Sequence, residues 1–179
     1  MKQGIWVVAM VMAGCAGSGA DTAPRQYDLG LATPAAKLPP LRAVSVRAAM
    51  PSDGVEMHYR LAYRDAAELA SFAHSRWAAP PADLMRKQLL RALPSSAGAP
   101  CALELEIQEF TQVFTTKDAS EVRIEGRASA GGATRAFSVT EAGAGATAAA
   151  GTAAFARAAD RAIAEMAGWV STQATCRKP

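Results

Sequence analysis

Apolar and polar residues alternate most cleanly over 55–64, VEMHYRLAYR. Val55, Met57, Tyr59, Leu61 and Tyr63 fall on one face, and Glu56, His58, Arg60 and Arg64 on the other. A period of two over this length predicts a strand with one wet side. The preceding stretch 41–50, LRAVSVRAAM, sets Val44 and Val46 between Arg42 and Arg47 and is bounded by Pro40 and Pro51, a half-buried strand. PSDG between the two is a turn by composition. QYDLGL at 26–31 reads as a further short strand, and 68–77 as a short strand around Leu69–Ala73.

The period then changes. From Pro80-Pro81 onward, Leu84, Leu89, Leu90 and Leu93 recur at helical spacing, with proline in the first turn where its missing N–H costs nothing. Residues 101–114 return to alternation through Leu103, Leu105 and Ile107, after which the frame slips so that Phe110 and Phe114 continue the apolar face; a slip of one residue predicts a bulge. Strands at 121–130 and 134–140 follow, giving an antiparallel meander. The last element is an alanine-rich helix with Phe155, Ala159, Ile163, Met166 and Val170 on one stripe. The order predicts an α/β or α+β chain: one compact domain, a mixed and mostly antiparallel sheet of about five to six strands, and two main helices.

The N-terminus breaks this pattern. Lys2 is followed by an apolar run from Ile5 to Ala13, far short of the ~20 residues that cross a bilayer. A short basic start, an apolar centre and a small-residue end form a secretory signal. Met12-Ala13-Gly14-Cys15 has the form of a lipobox, in which the thiol is lipidated and the chain is cut before the cysteine. The expected division is a signal peptide at 1–14, a lipid anchor and flexible tether at 15–26, and the folded domain at 27–179. A diacylglyceryl group and an amide-linked palmitate would hold Cys15 at a membrane, since each buried methylene contributes about 0.8 kcal/mol and two chains already anchor stably. Ala16 follows the cysteine in place of the aspartate that retains lipoproteins at the inner membrane, so the periplasmic face of the outer membrane is the expected location.

Charge and chemistry add little. The net charge of +3 gives no reason to expect nucleic acid as a partner. With Cys15 lipidated, Cys101 and Cys176 remain, and two thiols in an oxidising compartment pair. Gly143-x-Gly145-x-x-Ala148 looks like a dinucleotide fingerprint, but no second parallel strand follows its helix, so it reads as a loosened helix entry. His58 and His74 stand apart from other ligands and read as surface strand residues. No GxSxG, HExxH or P-loop is present. No catalytic, cofactor-binding or metal-ligating residues are assigned, and no enzyme activity is expected. Trp77, beside Arg76 and Pro80-Pro81, admits two roles: a core tryptophan at a sheet-to-helix junction, or an interface anchor, since Trp and Arg dominate binding hot spots.

Taken together, the lipobox, YDLG, RAVSVRAA, the run MHYRLAYRDAAELASFAHSRWAAPPADLMRKQLLRAL and LELEIQEFTQVF resemble the ABC-type transport auxiliary lipoproteins. These are the outer-membrane component of paraquat-inducible and related MCE (mammalian cell entry) systems. The most specific part runs from Tyr59-Arg60 through Arg76-Trp77 to Pro80-Pro81, and these six residues are the interface candidates. The resemblance implies a docking subunit without chemistry of its own. Its partners would be an MCE-domain protein and, through it, an ABC transporter or related inner-membrane protein. Self-association is a further implication. The alternative is an envelope lipoprotein that binds a small ligand or assists envelope assembly without an ABC partner.

Overall fold

The computed structural model describes residues 23–31, 34–94, 99–143 and 145–177. The signal segment, Cys15 and most of the tether lie outside the described residues.

Seven strands and two helices follow in the order β1 (Arg25–Tyr27), β2 (Ala43–Ala48), β3 (Glu56–Leu61), β4 (Asp65–Trp77), α1 (Pro81–Ala92), β5 (Ala102–Phe114), β6 (Ser120–Ala130), β7 (Ala133–Ala142) and α2 (Ala148–Thr172), closed by a 3-10 turn at Ala174–Cys176. One mixed sheet runs β1-β4-β3-β5-β6-β7, and β2 also pairs with β5. The meander β5-β6-β7 is antiparallel throughout. β2 pairs with the first half of β5 and β3 with the second half, both in parallel. The two strands therefore fill a single column of the sheet, interrupted by the turn that PSDG predicts. The class is as expected, α+β with two helices, and the strand count is one above the expected range. β1 has only three residues and owes its existence to parallel pairing with Ser75–Trp77. β4 is much longer than its periodicity suggests, because 65–68 carries no apolar alternation and is ordered by pairing with β3.

The slip in the apolar frame of β5 is a register shift between Ile107 and Glu109. It keeps Leu103, Leu105, Ile107 and Phe110 all in the core. Gly131 and Gly132, with φ of 61° and 85°, form the two-residue turn between Ala130 and Ala133, a turn whose positive φ favours glycine.

Both helices pack against the sheet, α1 on β2 and α2 on β6 and β7. α2 starts at Thr147, whose side chain accepts the Ala150 N–H at 3.1 Å. The stripe of Phe155, Ala159, Ile163, Met166 and Val170 is buried as its spacing predicts, with Ala154, Ala158 and Ala162 beside it. Small side chains let this 25-residue helix lie close on the sheet. Cys101 and Cys176 are bonded across 75 residues and tie the tail of α2 to the start of β5.

Candidate docking surface

Among the described residues no group of His, Cys, Asp and Glu could hold a metal ion. The surface features that stand out are at the β3–β4 hairpin and on the sheet face opposite the helices.

Trp77 ends β4 and turns inward. It is 1% exposed and meets Phe110 edge-on at 5.4 Å and Phe155 at 5.2 Å, while those two rings stack at 4.4 Å. Of its two roles, the structure shows the core one. Pro80 precedes α1 and accepts the Asp83 and Leu84 N–H groups at its carbonyl. Pro81 is the first residue of α1 and is buried. Neither Trp77 nor Pro81 is therefore available to a partner on the surface of the monomer, and the expectation of both as interface residues is corrected. Their proximity in sequence to Arg76 marks a fold junction: the strand must end, bury its last ring and start a helix within four residues.

Tyr59 and Arg60 point to opposite sides of β3. Tyr59 is half-buried and packs with Phe72 at 4.7 Å and Phe114 at 5.7 Å. Arg60 lies on the open side, where it pairs with Glu109 at 3.5 Å and donates to the carbonyls of Ala66 and Ala67. Arg76 is exposed, and Pro80 is half-buried. The six candidates thus do not form one patch. His58 is half-buried and His74 exposed, both on strands.

Charged residues line the open sheet face. Arg47 pairs with Glu106, Arg60 with Glu109, and Arg123 with Glu121 and Glu125 at 3.1 and 3.7 Å. The hydrogen bond from Arg47 first, then that from Gln108, holds the Glu106 carboxyl below its usual range. Glu109 and Glu125 are direct cross-strand partners. Like charges in that position repel, and the two arginines on either side neutralise them. A groove of about 320 Å³ opens here, lined by Arg60, Ala62, Ala66, Glu109, Val113, Arg123 and Glu125. Small-molecule sites are predominantly apolar with a few polar groups; this one is walled by two arginines and two glutamates already paired. Such a surface suits a polar, protein-like contact.

Behind the hairpin, a polar network supports the start of α2. Buried Gln112 donates to Ser120 Oγ at 2.8 Å and to the Thr147 carbonyl at 3.3 Å, and Ser120 Oγ donates to the Gly145 carbonyl at 2.9 Å. Gly143 and Gly145 belong to this helix entry, as read from the sequence, with Gly145 at φ 142°. Sequence reasoning missed Gln112 and Thr111, which are polar residues buried in a strand that otherwise alternates. It also missed the ladder of ion pairs, whose members lie on four different strands.

No protein-family model matches the chain, and no curated protein matches it. Solved structures do share its fold. Protein XCC0632 from Xanthomonas campestris, described as a DUF330 family structure, superposes with a TM-score of 0.68 at 21% identity, covering 84% of this chain and 95% of that one. An uncharacterised protein superposes with a TM-score of 0.64 at 13% identity, covering 83% and 99%.

Proposed function

We propose that this protein is an outer-membrane lipoprotein facing the periplasm, and that it serves as an auxiliary docking subunit of an ABC/MCE-type system moving lipid between membranes. The observation that carries the reading is a lipobox at 12–15 joined to a domain closed by the Cys101–Cys176 bond. Disulfides persist in oxidising compartments, the periplasm among them. The paired charges that wall the groove of the open sheet face support a docking role over a small-ligand one.

Two measurements test this. Cys15→Ser should abolish lipidation and remove the protein from purified outer membranes; unchanged outer-membrane fractionation would refute the anchor. A photo-crosslinking residue at Tyr63, which is exposed at the hairpin turn, should capture an MCE-domain protein in intact envelopes. An anchored protein that captures no such partner would instead support the envelope lipoprotein without an ABC system.

A further inference from the structure

Leu90 belongs to the leucine repeat that predicts α1, yet it is 45% exposed. Leu31 is 84% exposed. The other exposed large apolar side chains among the described residues, Met50 and Tyr63, lie apart in turns. Leu31 and Leu90 come to one place. Arg91, the residue after Leu90, donates to the Gly30 carbonyl at 2.8 Å, so Leu31 follows at the last turn of α1. The Leu38 N–H donates to the Ala92 carbonyl at 3.0 Å, which brings Lys37 to the same end of the helix.

Positive charge collects around these leucines. Residues 29–42 and 84–103 hold Lys37, Arg42, Arg86, Lys87 and Arg91 but no aspartate or glutamate, although the chain has 16 acidic residues against 19 basic ones. Lys37, Arg86 and Lys87 are exposed. Lys37, Arg86 and Arg91 make no ion pair among the described residues. The flanking carboxylates are Asp28, which pairs with Lys87 at 3.4 Å, and Asp83 in the first turn of α1. An exposed apolar pair flanked by cations matches an anionic lipid surface, where apolar side chains enter the headgroup layer and cations meet phosphates. The anchor supports this occupant. Only ten residues separate Cys15 from Arg25, at most ~36 Å of chain, and β1 leads straight to Asp28 beside α1.

We propose that the C-terminal half of α1, together with Leu31, rests on the membrane that holds the anchor, as an interfacial contact with anionic phospholipid. Leu31 and Leu90 enter the headgroup layer, and Lys37 and Arg86 meet the phosphates. The inference rests on the anchored reading for its location and adds an orientation to it. Both helices lie on one side of the sheet, so the contact turns the open, ion-paired sheet face away from the lipid and toward a partner in the periplasm. A weak contact suffices. With Cys15 already in the bilayer, the face meets lipid at an effective concentration set by the tether.

Leu90→Cys carrying a fluorescent label tests it in the lipidated mature protein, with Cys101 and Cys176 already bonded to each other. In vesicles of phosphatidylethanolamine and phosphatidylglycerol, brominated lipid should quench this label several-fold more than one at Thr140→Cys on β7, the far edge of the sheet. Vesicles of phosphatidylcholine, or the changes Lys37→Gln and Arg86→Gln, should remove the difference while the anchor still holds the protein. In flotation, the unlipidated full chain should bind the same anionic vesicles weakly. Each of the two substitutions should lower that binding about fivefold, the ~1 kcal/mol of one basic side chain at an anionic surface. All variants should melt alike. A protein that fails to join vesicles through Cys15 would refute the anchor, and flotation then decides the face by itself. Equal quenching of the two labels in anchored protein, or flotation indifferent to both substitutions, would overturn the proposal. So would a Leu90→Cys label shielded from water yet unquenched by brominated lipid, since a protein would then cover the face.

Discussion

Replacing Trp77 measures how far the core depends on one ring. The side chain is 1% exposed and sits at the meeting of β4, β5 and α2, edge-on to Phe110 and Phe155. Truncating a buried aromatic to alanine costs about 3–5 kcal/mol through lost burial and the cavity left behind. The two edge-to-face contacts fall within that figure at ~0.5–1.5 kcal/mol each. In a domain of about 150 residues each kcal/mol moves the melting point by ~2–4 °C, so Trp77→Ala should melt ~6–20 °C lower. Trp77→Phe should behave differently. It retains a ring between Phe110 and Phe155 and removes Nε1, which is buried without a hydrogen-bond partner among the described residues. An unsatisfied buried donor costs about 1–3 kcal/mol, so its removal offsets much of the lost area, and Trp77→Phe should lie within ~2 kcal/mol of wild type. Calorimetry and chemical denaturation read both variants. A Trp77→Ala protein as stable as wild type, or a Trp77→Phe protein as damaged as the alanine variant, would refute this account of the core.

Several other substitutions probe single contacts. Gly126→Ala should destabilise clearly, because its Cβ would lie 2.0 Å from the Glu106 carbonyl oxygen and 2.9 Å from the Phe137 ring; a neutral melting curve would contradict the close approach of β5 and β6 there. Gly151→Ala places a methyl 2.1 Å from Gln112 Oε1 and should weaken amide protection at Ser120 and in the first turn of α2, read by hydrogen exchange. Separating Cys101 from Cys176 by Cys101→Ser should cost about 4 kcal/mol for a loop of this length, and non-reduced peptide mapping should recover the 101–176 link from wild type. Burial raises the Asp160 carboxyl above its usual value. The folded state therefore holds that proton more tightly than the unfolded chain, and stability falls as pH rises from the unfolded to the folded value. Asp160→Asn should be the more stable form at neutral pH, with the difference vanishing in acid; an unchanged gap across that window would refute the burial argument.

What the linear chain determined by itself is whatever depends on near neighbours. β3, β5, β6 and α2 are legible because alternation or 3.6-residue spacing survives whatever they pack against, and even the bulge in β5 shows as a slipped frame between Ile107 and Phe110. The pairing of Cys101 with Cys176 follows from counting cysteines once Cys15 is set aside. Tertiary structure decided what depends on distant partners. The strand expected at 26–31 is only Arg25–Tyr27, and the first half of β4 carries no pattern; both are held by the strands beside them. Trp77 and Arg76 are adjacent in sequence, yet one is core and the other surface, because successive strand side chains point to opposite faces. The ion-pair ladder and the buried Gln112 join residues up to 59 positions apart. Charge and hydrogen-bonding interactions act over a few ångströms in space, and only folding sets which residues come that close.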